Sequence, residues 1–147
     1  MPNIQWGKLR EVLQNALDGV EFYAAAAERI RNPKLQALFH RIQLSKRAII
    51  DAIRPRLAAN GEDVPQAGTF EGVMRLTYAE LRADFGDDDL PVFVGQIEAI
   101  EDNVLNALAS AVYDCPNPEL RKVLFDLHAQ SRHDHDEMKA LRERLAA

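Results

Sequence analysis

Apolar residues recur at steps of three and four along most of this chain, the pattern of helices that each turn one stripe towards a core. It is plainest from Asn117 to Leu145, where Leu120, Leu124, Leu127, Ser131, His135, Met138, Leu141 and Leu145 share a face. Asn117 caps this helix and Pro118 takes the first helical position, where a missing N–H is no loss. Glu119 suits the positive end of the helix dipole. Two members of the stripe, Ser131 and His135, are polar, so the interior is not purely aliphatic.

The same reading gives a first helix from about Ile4 to Arg31, with Leu9, Leu13, Ala16, Val20, Ala24 and Ala27 inward and Glu21 at the stripe's edge. Gly19, in its middle, costs about 1 kcal/mol relative to alanine, which packing has to offset. Asn32 and Pro33 end that helix and open a second, with Leu35, Leu38, Phe39, Ile42, Ile49 and Ile53 inward. So short a turn makes the pair antiparallel. Pro55 is expected to kink the last turns, and Asn60 with Gly61 to form a left-handed terminus. After a loop, Thr69 caps a shorter helix to about Asp84. A further long helix is predicted from about Leu90 to Asp114, with Phe93, Ile97, Ile100, Val104, Leu108 and Ala111 inward and Glu101 at the edge.

The motif Asn-Pro-charged-Leu opens both the helix at Asn32 and the one at Asn117, which suggests two helical hairpins. The shorter helix between them, about 16 residues or 24 Å long, can travel most of the length of a bundle. It lets the second and third long helices run parallel. The expected fold is therefore all-α, one domain over 1–147: a ferritin-like up-down-down-up four-helix bundle with a short helix in the long crossover.

Composition narrows the function. With 147 residues the chain can bury a core without a metal or disulfide, and Cys115 is alone and reads as structural. Its net charge of −5, from 23 acidic and 18 basic side chains with no basic run, argues against nucleic acid and anionic membrane as partners. The opening residues lack the marks of a signal peptide, and no apolar run is long enough to span a bilayer, so a soluble, cytoplasmic protein is expected.

Counted from the Asn32 turn, Glu21, Lys46, Arg47, Glu101, Arg132 and His135 fall at similar heights, and they are predicted to form a buried polar layer. Ferritin-like dimetal proteins use this level for a Glu from each of two helices and Glu-x-x-His from each of the other two. Glu21 and Glu101 match the single glutamates. Neither the second nor the fourth long helix has Glu-x-x-His; the nearest spacings include Gln43-x-x-Lys46 and Arg132-x-x-His135. Lys46 and Arg47 would repel metal ions, whereas they can neutralise buried glutamates. No metal or other cofactor is therefore expected. Glu21, Glu101 and His135 are the weak candidates should iron or manganese bind. His133, Asp134, Asp136 and Glu137 read as a solvated acidic face. No phosphate loop, nucleophile elbow or zinc pair is present, and no catalytic residue is assigned.

Several short motifs span nearly the whole chain: Asp18-Gly19-Val20-Glu21 with Ala24 to Glu28, Asn32-Pro33-Lys34-Leu35 to Phe39, Asn60-Gly61, Glu101-Asp102, His135-Asp136 and Ala140-Leu141-Arg142. In these the chain resembles a bacterial family of ferritin-like four-helix-bundle proteins known as a domain of unknown function. The resemblance implies the ferritin-like bundle and no established activity. Relatives with intact sites, such as rubrerythrins and ferritins, carry iron and oxygen chemistry; only Glu21, Glu101 and His135 carry over here.

These readings converge on a non-catalytic structural or interaction protein with a degenerate dimetal site. The alternative is a metal-dependent (di-iron or manganese) oxidase or an iron-oxidising or storage protein. Phe70, Met74, Tyr78 and Phe85 make the crossover helix the expected docking surface for a second copy or a protein partner.

Overall fold

Asparagine–proline pairs set the starts of two of the four long helices. A computed structural model describes residues 4–30, 32–66 and 90–146; among these there are four α-helices and no strand. They are α1 (Trp6–Arg29), α2 (Pro33–Ala59), α3 (Leu90–Asp114) and α4 (Pro118–Ala146). The crossover helix expected at 69–84 lies outside the described residues, as do the side chains of Phe93, Ile100 and Leu145. Asn32 Oδ1 accepts from the N–H groups of Lys34 (2.9 Å) and Leu35 (3.3 Å), and Asn117 Oδ1 from that of Leu120 (2.9 Å). These bonds satisfy donors that a helix start leaves open. α2 continues through Pro55, and at its end Gly61 adopts φ 69°. The N–H of Gly61 meets the Ala58 carbonyl at 3.2 Å and that of Glu62 the Leu57 carbonyl at 3.0 Å, the paired bonds of a Schellman stop.

Contacts at several heights give the helix directions. Lys8 of α1 reaches Ser110 and Asp114, while Tyr23 reaches Glu101, so α1 and α3 run antiparallel. Arg56 pairs with Glu119, Lys46 faces Asp134, and Arg41 pairs with Glu137, so α2 and α4 are antiparallel as well. α1 packs mainly on α2 and α3, and α4 on α3 and α2. Since α1 and α2 are joined by a tight turn, α2 and α3 point the same way.

The core comes in two parts. One holds Leu13, Ala16, Ile53, Leu57, Leu108 and Leu124; the other holds Phe22, Tyr23, Phe39, Ile42, Ile97 and Met138. On every helix the residues that separate the two parts include buried polar ones: Asp18 on α1, Ser45 and Lys46 on α2, Glu98 and Glu101 on α3, Ser131 and Asp134 on α4. A polar layer thus crosses the middle of the interior.

Candidate functional site

Lys46 is the centre of that layer. It lies between Ile42 and Ile49 on the buried stripe of α2, and its position on the helix, not its chemistry, sends it inward. The side chain is fully buried, and its Nζ donates to Glu101 Oε2 at 2.6 Å. Glu101, also at 0 % exposure, accepts a second bond at Oε1 from the Tyr23 hydroxyl. Two unpaired charges here would cost several kcal/mol each, so pairing and hydrogen bonding are what make the layer tolerable.

The Tyr23 ring is wedged against Phe22 and Phe39, with centroids 5.6 Å away in both cases. Burial, followed by the neighbouring Glu101 charge, pushes its hydroxyl well above the ordinary tyrosine range. Tyr23 is therefore a fixed donor at neutral pH.

Asp134 enters from α4 at 0 % exposure. Its Oδ1 accepts from Gln130 Nε2 at 3.3 Å. Its Oδ2 stands 4.0 Å from Lys46 Nζ, too far for a hydrogen bond, and accepts none among the described residues. Burial raises the carboxyl from its ordinary 3.8 to about 6; Lys46, the Ser45 hydroxyl and Gln130 pull it down, and the Glu101 charge pushes it up. Ser45 is near enough to contribute, although its hydroxyl forms no aligned bond with Oδ2.

A second, shallower cluster borders the layer. His135, with 15 % of its side chain exposed, sets Nε2 2.6 Å from Asp102 Oδ1 and 3.9 Å from Glu98 Oε1. Glu98 Oε2 in turn lies 2.9 Å from Arg142 Nε, an ion pair without the alignment of a hydrogen bond.

With this geometry in place, one comparison is informative: the model of the family described as Domain of unknown function (DUF2383) matches residues 6–114. The chain belongs to that family. No curated protein and no solved structure gives a significant match. The DUF2383 match takes in Tyr23, Lys46 and Glu101 and stops short of α4, so Asp134 and His135 lie beyond it.

Of the six residues expected in the layer of this DUF2383 chain, Lys46 and Glu101 meet at its centre and His135 stands at its edge. Glu21, Arg47 and Arg132 are corrected: all three are exposed. On α1 the inward face is turned by one position, so Gly19 and Tyr23 point in and Glu21 points out. Arg47 and Arg132 each follow a buried residue, Lys46 and Ser131, and one step along a helix is a 100° turn away from the core. Asp134, expected on a solvated face, is buried instead. Sequence reasoning also passed over Tyr23. Both sit at helical spacing from residues already assigned inward: Asp134 three after Ser131 and four before Met138, Tyr23 four before Ala27.

Glu21, Glu101 and His135 are not brought together as one ligand set. Glu101 spends both oxygens on an ammonium and a hydroxyl, His135 turns to Asp102, and Glu21 faces outward. Among the described residues no three His, Cys, Asp or Glu side chains converge as metal ligands. Among the described residues the arrangement pairs opposite charges and holds the side chains in place.

Proposed function

We propose that this protein is a non-catalytic structural or interaction protein, built as a ferritin-like up-down-down-up four-helix bundle in which Lys46 takes the position of a metal pair. The observation that carries the reading is the contact of Lys46 Nζ with Glu101 Oε2 at 2.6 Å, both side chains fully buried. An ammonium there supplies the positive charge that bound cations supply in dimetal bundles. The antiparallel pairings of α1 with α3 and of α2 with α4 support the topology. An acidic chain with a single cysteine suits the cytoplasm, and no described helix is long and apolar enough to cross a membrane.

The test is metal loading of untagged protein. Incubated with ferrous iron or manganese in air and then desalted, the protein is expected to retain no stoichiometric metal and to oxidise iron at the background rate. Stoichiometric retention that disappears in Glu101→Ala would overturn the reading in favour of a metal-dependent oxidase or an iron-storage protein.

A further inference from the structure

Among the described residues the layer holds more buried acid than base. Among the described residues Lys46 is the one fully buried cation, and Glu101 and Asp134, equally buried, both face it. The two acids are not equivalent. Glu101 receives the ammonium at 2.6 Å and the Tyr23 hydroxyl as well. Asp134 Oδ2 is 4.0 Å from the ammonium and takes no hydrogen bond among the described residues. One ammonium balances one carboxylate; a second negative charge in a dry interior is costly, whereas a protonated carboxyl needs no counter-charge.

We propose that Asp134 holds a proton when α4 is seated on α2, and that losing this proton loosens α4, so that the layer acts as a proton-controlled latch between the two helical hairpins. The groups facing Asp134 from its neighbours set the bias. From α1 comes Tyr23, which stays neutral; from α2, Lys46 and Ser45; from α3, Glu101; and on α4 itself, Gln130. The neighbouring His135 sets Nε2 against Asp102 and Nδ1 against Asp136. Burial is the main cause that raises the Asp134 carboxyl, to about 6. The flanking ties across the α2–α4 seam, Arg41–Glu137 and Arg56–Glu119, involve partly exposed side chains and hold weakly.

A carboxyl whose folded value lies above its unfolded one favours folding below the unfolded value. That contribution is lost as pH rises from about 4 through 6, and the curve levels off above. The experiment is carboxyl carbon-13 titration of the full chain, together with hydrogen exchange of α4 amides between pH 5 and 7. The expected result is an Asp134 midpoint near 6 and α4 protection factors that fall about tenfold across that range. Asp134→Asn should remove the fall. An Asp134 carboxyl already ionised at pH 5, or the same protection profile in the native protein and Asp134→Asn, would overturn the proposal. If the variant does not fold, the titration of the native chain decides alone.

Discussion

Gly19 lies directly against the stem of Lys46: a β-carbon at Gly19 would stand 3.0 Å from Lys46 Cγ and 3.4 Å from Cδ. The stem cannot retreat, because its ammonium is held by Glu101 within a closed interior. The mid-helix glycine is thus a consequence of the lysine. Gly19→Ala is expected to lower stability by about 1 kcal/mol, although alanine in an unobstructed helix would raise it by a similar amount. Urea unfolding checks the sign, and a gain would show the lysine stem to be free to move.

Lys46→Met keeps most of the volume and leaves Glu101 buried without its cation. The expected loss is about 3 to 5 kcal/mol, because an uncompensated charge remains in the core. Adding Glu101→Gln removes that charge while keeping an acceptor for Tyr23, and should restore most of the loss. Denaturation of the two single variants and the double variant measures the coupling; additive losses would show that the pair is not a unit.

Tyr23→Phe removes one of the two donors to Glu101 and is expected to cost about 1.5 to 3 kcal/mol, the range for hydrogen bonds to a charged group. It also changes the alkaline limit. A tyrosine whose folded value is raised contributes stability that is whole below its ordinary value of 10 and is lost as pH rises beyond it. In the native protein the Tyr23 phenolate band should therefore appear only together with unfolding. Parallel absorbance and circular dichroism titrations of native and Tyr23→Phe protein separate the two events.

The asparagine caps give a smaller, local prediction. Asn32→Ala and Asn117→Ala each remove a side-chain acceptor from a helix start and should each lower stability by about 1 kcal/mol. Thermal unfolding of both variants measures this.

The long helices and their ends were readable because asparagine–proline starts and the Asn60-Gly61 stop act within a few residues, so local chemistry decides them. The inward residues of α2 were readable too, since bulky Leu, Phe and Ile at helical spacing admit few rotations. α1 was harder. Its alanines on several sides leave the buried face ambiguous by one position, enough to exchange Glu21 for Tyr23. On α4 the placing of Asp134 and His135 depended on the Lys46 ammonium of α2 and the Asp102 carboxylate of α3, and one helix carries no record of its neighbour's side chains.

The division of the core into two apolar halves bears on how the chain chooses among near-alternative assemblies. Sliding α2 by one turn, about 5.4 Å, would drive the Lys46 ammonium among aliphatic groups and strand Glu101 opposite isoleucine. A wholly oily interior would impose little penalty on such slippage. Misthreaded, staggered bundles are in this way discouraged by a single charged stratum, at the expense of some of the stability that more leucine would have contributed.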